Sequence, residues 1–285
     1  EDYQNRLKEY ANEGKTGVYL QEILLHKELF GDETHPHVEN SPIYYGWLDA
    51  TRELMVHELR KGDIVDNPCR TSKELLRVAN ELATGLNFYH ERDVLFRDIK
   101  PENVLIDTEG RAILSDPFEV KEDQVTVLSG SLPFLPVDYS HRQPQTKKWD
   151  LYALGVTLLD IKHGYLSEVV ANIPDSNPEK KRLLDLVDEN CSHTELLLDN
   201  LEKKKIPEEE QIPALHLLNL ERINKPVTQD LVISLIALNG GFKNERVESV
   251  KTRIAQLDQV VKQLIATDPQ DSISAAEAAR QLHTE

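Results

Sequence analysis

VLFRDIKPENVLIDTEGRAILSDPFEV, residues 94–120, is the stretch on which the fold turns. It sets Asp98, Lys100, Asn103 and Asp116 within nineteen residues. Between them lie two apolar runs, Val104–Ile106 and Ala112–Leu114, that read as short strands joined by a turn. Two carboxylates, an amine and an amide flanking such a hairpin suit the holding of a divalent cation and a phosphate.

Outward from this stretch, Thr71 to His90 is the clearest helix. Thr71-Ser72-Lys73-Glu74 forms a capping box, and Leu75, Val78, Ala79, Leu82, Leu86 and Tyr89 make one apolar stripe. KWDLYALGVTLLDIKHG, residues 148–164, predicts a second helix, apolar on nearly all sides and so buried, with Gly164 as its C-cap. Upstream, Gly17 to Phe30 reads as a helix, and β-like runs follow at Ile43–Leu48 and Glu53–Leu59. From Tyr165 to Gly240 the pattern is helical but broken by prolines, with NLEKKKIPEEEQIP, residues 200–213, read as a charged, solvated connector. The Leu runs TELLLDNL and IPALHLLNLERI read as core. RVESVKTRIAQLDQVVKQLIATDPQDSISAAEAARQLHTE closes the chain as two helices joined at Asp268-Pro269, the second opened by a capping box at Ser274 and Glu277.

Composition narrows the function classes. A formal net charge of −17 over 285 residues argues against nucleic-acid binding, which needs clustered Lys and Arg. No apolar run reaches the eighteen or so residues of a membrane span. Two distant cysteines, Cys69 and Cys191, fit free thiols in a reducing compartment, so a cytoplasmic location is expected. The chain begins at Glu1 without a Met, as a trimmed or processed segment does.

ATGLNFYHERDVLFRDIKPENVLID resembles the helix and catalytic loop of eukaryotic-type protein kinases of the serine/threonine branch. The family pattern is H-R-D-x-K-x-x-N; here Phe96 replaces the His, while Arg97, Asp98, Lys100 and Asn103 stand. GSLPFLPVDY resembles the end of an activation segment, KWDLYALGVTLLDI the central helix of the large lobe with its inward Asp150, and LIATDPQDSISAAEAARQL the closing helices. The resemblance implies an α+β, two-lobed kinase-like fold: a small mixed α/β N-lobe over residues 1–60, abbreviated or truncated, and a large helical C-lobe over 61–285 with a helical insertion at about 165–255.

It also implies ATP and Mg²⁺ or Mn²⁺ as cofactors. Asp98 would accept the proton of the acceptor hydroxyl, Lys100 would counter charge on the γ-phosphate, and Asn103 and Asp116 would hold the metal. Glu58 and Arg60 at the interlobe hinge, next to His57 as gatekeeper, and Leu105 are the expected nucleotide contacts. Lys8, with Lys15 as the alternative, and Glu22 would form the ion pair that grips the α/β-phosphates.

Three departures stand out. Asp116-Pro117-Phe118 replaces Asp-Phe-Gly, and the proline stiffens the approach to Asp116. No Gly-rich phosphate loop precedes the first helix. Pro136-Val137-Asp138 stands for Ala-Pro-Glu and Asp271 for the Arg that family members pair with it, which sets two acids together unless Arg142 or Arg280 intervenes. In the family Arg97 would pair with a phosphorylated residue, for which Thr126 and Ser129 are placed. The expected function is ATP-dependent phosphorylation of Ser/Thr hydroxyls on a protein substrate, with a protein partner on the insertion. The alternative is a catalytically impaired pseudokinase scaffold, and the divergence would also suit a secreted effector in a host cytosol.

Overall fold

The computed structural model describes residues 44–47, 55–57, 61–115, 120–121, 130–138, 145–224, 247–268 and 270–283. Strands β1 (Tyr44–Trp47) and β2 (Met55–His57) pair antiparallel, within the two runs that the sequence marks as strand. The helix expected at residues 17–30 lies outside the described residues, as do Lys8, Lys15, Glu22, Glu58 and Arg60.

Helix α1 (Ser72–His90) forms where the capping box and stripe place it. Thr71 Oγ1 accepts from the Glu74 amide at 3.1 Å, but the Glu74 carboxylate turns to the Arg70 amide (2.8 Å) rather than closing the reciprocal bond to Thr71. The whole stripe from Leu75 to Tyr89 is buried. Among the residues facing the other way, Arg77 and Glu81 reach the hairpin described next.

β3 (Gly62–Asp63), β5 (Val104–Ile106) and β6 (Ala112–Leu114) form a three-stranded antiparallel sheet, while β4 (Val94–Leu95) pairs with β7 (Val120–Lys121). The β5–β6 turn is held by Asp107, whose carboxylate accepts from the Glu109 and Arg111 amides (both 2.8 Å) and from Arg111 Nε (2.7 Å). Burial alone would raise that carboxyl; the Arg111 and Glu109 amides and the Arg111 guanidinium outweigh it and hold it below the ordinary carboxylate range. Gly110 turns the chain at φ +85°, a conformation that favours glycine. From α1, Arg77 donates to the Gly110 carbonyl (2.7 Å) and Glu81 accepts from the Ala112 amide (2.8 Å), so two hydrogen bonds join helix and hairpin.

α2 (Lys147–Ala171) is the central helix, buried on nearly all sides from Trp149 to Leu166. It does not stop at Gly164. Tyr165, Leu166, Val169 and Val170 are all buried, and their packing outweighs the cost of about 1 kcal/mol that a mid-helix glycine carries. The expected connector at 200–213 is also mostly helical: α3 (Glu179–Lys203) and α4 (Glu208–Asn224) leave only residues 204–207 between them. Pro213 stands inside α4, where it gives up one intrahelical amide donor, a cost that the packing of Ile212 and Leu215 offsets. α4 buries Ile212, Leu215 and Ile223 and leaves Leu217 exposed, so its Leu-rich run is mainly a packing face.

α5 (Val247–Leu264) and α6 (Ala275–Leu282) close the fold, with Ser274 Oγ accepting from the Glu277 amide as expected. α5 lies close against α2: a Cβ on Gly155 would fall 2.6 Å from Ile265 Cγ2 and 3.0 Å from Leu264 Cβ. Cys69 is a free thiol, fully buried in the same core, where burial and the Glu74 carboxylate push its ionisation up. No helix among the described residues is long and apolar enough to cross a membrane.

Two substitutions test this packing. Gly155→Ala is expected to lower unfolding stability by about 1–3 kcal/mol, since α2 and α5 must separate to admit the methyl group. An unchanged urea midpoint would show that the helices are not in contact there. Asp107→Asn is expected to cost about 2 kcal/mol at neutral pH, the worth of hydrogen bonds to a charged acceptor. Because the folded carboxyl titrates below the unfolded one, that advantage of the wild type must fade as pH falls from about 4 through the lower folded value. A difference that is flat with pH would mean that the charge is not what holds the turn.

Candidate active site

Asp98 follows a residue in an unusual conformation. Arg97 has φ +79°, a region that costs a non-glycine residue about 1–3 kcal/mol unless the surroundings impose it. The surroundings here are Asp150 of α2. Its buried carboxylate accepts from the amides of Phe96 (2.7 Å) and Arg97 (2.8 Å), and its Oδ2 also meets His90 Nε2 of α1 at 3.0 Å. The loop backbone is thereby bolted to two helices at once. Phe96, standing where the family has His, is fully buried and meets Tyr89 edge to face at 5.4 Å between ring centres.

The functional side chains then meet around one carboxylate. Asp98 is 8% exposed. Its Oδ2 pairs with Lys100 Nζ at 2.9 Å and accepts from Asn103 Nδ2 at 3.0 Å, and its Oδ1 accepts from Ser131 Oγ at 3.0 Å. Lys100 Nζ also donates to Ser131 Oγ at 3.3 Å. Asn103 Nδ2 makes a second bond to the Asp98 carbonyl (2.9 Å), so the amide nitrogen is committed to Asp98 and the amide oxygen is turned away from it. Asn103 sits in the 3-10 turn Pro101–Asn103, and its carbonyl takes both the amide (2.8 Å) and the hydroxyl (3.1 Å) of Ser115. Ser115 immediately precedes Asp116, which with Pro117 and Phe118 lies outside the described residues.

Of the expected site residues, the structure thus brings Asp98, Lys100 and Asn103 together. Leu105 lies half-buried on β5, next to them in the chain but not part of this cluster. Ser131, in the stretch GSLPF, joins the cluster although no spacing to Asp98 marks it; its one signal in the sequence is a hydroxyl directly after a glycine. Gly130 has φ +139°, and a Cβ there would meet Leu135 Cδ2 at 2.8 Å and the Arg97 carbonyl at 3.3 Å, so only glycine lets Ser131 approach. Arg97 was expected to await a phosphate; its Nε donates to Gln145 Oε1 at 2.8 Å, and Thr126 and Ser129 lie outside the described residues.

The missing ion pair also has an answer. Lys148, at the start of α2, lies 3.5 Å from the Asp138 carboxylate and donates to the Thr267 carbonyl at 3.0 Å. It therefore links the end of the activation segment to the α5–α6 connection, the task expected of a cation at position 271. Asp271 itself is exposed in a turn, Arg280 pairs with Glu277 on its own helix, and Arg142 lies outside the described residues.

Residues 6–283 match the protein kinase domain family, and the chain belongs to it. The α-rich body, small antiparallel sheets and loop-borne polar cluster are the architecture that the sequence led us to expect. Among similar proteins are the Aurora kinase of Schizosaccharomyces pombe, 32% identical over 143 residues (49% of this chain, 38% of that one), and a calcium/calmodulin-dependent protein kinase of Metarhizium anisopliae, 24% identical over 180 residues (54% and 46%). A probable LRR receptor-like serine/threonine-protein kinase of Arabidopsis thaliana is 28% identical over 174 residues, 56% of this chain and 16% of that one. The chain spans less than half the length of each of these relatives.

Asp150→Ala and Lys148→Ala should differ sharply. The first strands the Phe96 and Arg97 amides and the buried His90, and is expected to cost more than about 3 kcal/mol by urea unfolding. The second removes a partly exposed pair and should cost under about 1 kcal/mol. Equal losses would contradict this ranking.

Proposed function

We propose that this chain transfers the γ-phosphoryl group of ATP to serine or threonine hydroxyls of a protein substrate, with Asp98 as the base. The observation that carries this reading is the placement of Asp98: a nearly buried carboxylate held from three sides by Lys100, Asn103 and Ser131. Such a group keeps one orientation without reorganising when a hydroxyl arrives. Asp98 orients the acceptor hydroxyl and takes its proton while the hydroxyl oxygen bonds to the γ-phosphorus and the bond to the ADP oxygen breaks. Lys100 supplies positive charge beside the same carboxylate, within reach of a phosphate oxygen.

The residues fit a divalent cation. The Asn103 amide is fixed with its nitrogen on Asp98, so its oxygen is the atom offered, and hard cations take oxygen ligands. Asn103 and Asp116 would hold Mg²⁺ or Mn²⁺, which when bound supplies charge neutralisation on the phosphates. Lys8, Glu22, Glu58, Arg60 and Leu105 remain the proposed nucleotide contacts on the grounds of resemblance. An acceptor protein is the partner this chemistry requires.

Calorimetry of ATP binding with and without Mg²⁺, on the wild type, Asp116→Asn and Asn103→Ala, is the first test. Binding that needs the metal and weakens at least tenfold in both variants is expected. Asp98→Asn should keep that binding yet lower phosphate transfer to a generic acceptor protein by at least about a hundredfold, the scale of general-base catalysis. Absence of nucleotide binding, or transfer unaffected by Asp98→Asn, would replace this reading with the scaffold one.

A further inference from the structure

The stretch between residues 165 and 255, for which the sequence offered no role at the site, contributes a polar chain that ends at the site. It starts on α2 and runs through α4. Arg222, 4% exposed, donates to the Asp160 carboxylate and to His163 Nδ1 (2.8 Å), both on α2. Burial together with the Arg222 and Lys162 charges holds His163 well below its ordinary value, so the ring is neutral and can accept at Nδ1. With its guanidinium oriented by those two partners, Arg222 Nη1 donates to Asn219 Oδ1 at 3.3 Å.

That bond settles the orientation of the Asn219 amide. With the oxygen taken by Arg222, its nitrogen faces the Pro133 carbonyl (3.2 Å) and the Tyr152 hydroxyl (3.3 Å). Tyr152 in turn meets His216 Nδ1 at 3.0 Å. Burial lowers the ionisation of the His216 ring, against the opposing pull of the Asp138 carboxylate. Asn219, Tyr152, His216 and Arg222 are all buried, so each bond counts in a medium where an unmet polar group is costly.

Pro133 is the middle of the 3-10 turn Leu132–Phe134, which is closed by the Phe134 amide on the Ser131 carbonyl (2.9 Å) and the Leu135 amide on the Leu132 carbonyl (3.2 Å). The residue opening that turn is Ser131, whose hydroxyl holds Asp98. Asn219 is thus one carbonyl and one turn away from the proposed base, although it lies more than a hundred residues further along the chain.

We propose that Asn219 is a positioning residue for the site: it pins the Pro133 carbonyl, and through the Leu132–Phe134 turn it sets the Ser131 hydroxyl against Asp98. α4 is then a strut under the end of the activation segment rather than a passive layer. This rests on the phosphotransfer reading for its effect on rate, whereas the strut itself is testable without any activity.

The first arm is amide hydrogen exchange on the whole chain, comparing the wild type with Asn219→Asp, which keeps the shape but removes the N–H donors. Exchange at Phe134 and Leu135 is expected to accelerate by about fivefold or more, on the scale of one lost hydrogen bond, with the amides of α1 unchanged. Unchanged exchange at both amides overturns the proposal. Asn219→Leu, nearly isosteric and uncharged, repeats the measurement if the Asp variant does not fold. The second arm is a double-mutant cycle with Ser131→Ala. Because Asn219 acts through Ser131, each single variant should lower kcat by a similar factor with KM for ATP unchanged, and the double variant should lose no more than either. Losses that multiply would show that Asn219 acts elsewhere and would overturn its role at the site. A wild type that transfers no phosphate would refute the phosphotransfer reading and with it the rate effect, while the exchange arm still decides the strut.

Discussion

The carboxylate of Asp150 is the fixed point of this structure. One buried side chain on the central helix accepts from two consecutive amides of the loop and from a histidine of the neighbouring helix. Those bonds hold the backbone on both sides of the left-handed turn at Arg97, and so set where Asp98 enters the cluster that surrounds it. The loop is therefore a dependent of helix packing. The stripe of α1, the apolar girth of α2 and the close approach at Gly155 together decide where a catalytic carboxylate can stand.

A second layer of support comes from the other side. The Gly130–Leu135 stretch meets Asp98 through Ser131 and is braced by α4 through Pro133, and Asp138 just beyond it is tied by Lys148 to the last helices. Family members join the corresponding elements with a buried acid–arginine pair. Here Lys148, immediately before the Trp-Asp-Leu-Tyr run, does part of that work at the surface, and the polar chain from Arg222 through Asn219 to Pro133 braces the segment from the interior. The link that reaches Pro133 is a neutral amide, and the charge at the other end of the chain, on Arg222, is paired with Asp160.

What the sequence revealed follows from how local each signal is. The α1 stripe and the two helix N-caps, Thr71 and Ser274, are written in residues three and four apart; the stripe formed as read and each cap hydroxyl took its amide, although the Glu74 carboxylate went to the Arg70 amide instead. Asp98, Lys100 and Asn103 are close in sequence, on one loop, so a short pattern suffices to bring them together. Gly164 and the run at 200–213 misled because glycine, proline and charge speak of local preference only. Burial of Tyr165, Leu166 and Val169 and the packing of Ile212 and Leu215 are decided by distant helices. Ser131, Lys148 and Asn219 escaped notice for the same reason: each acts on a partner that no local spacing identifies.

Cys69 gives the molecule an internal clock. Its thiol is sealed in the core and disfavours the thiolate, the only form that reacts with alkylating reagents. It sits two residues before the cap of α1, in the same cluster as Ile64 and Ile106 of the hairpin region. Any labelling at that sulfur must pass through an opened state in which the junction of helix and hairpin has come apart. The speed of labelling in native buffer therefore counts the spontaneous openings of the platform beneath the loop, in the unaltered chain.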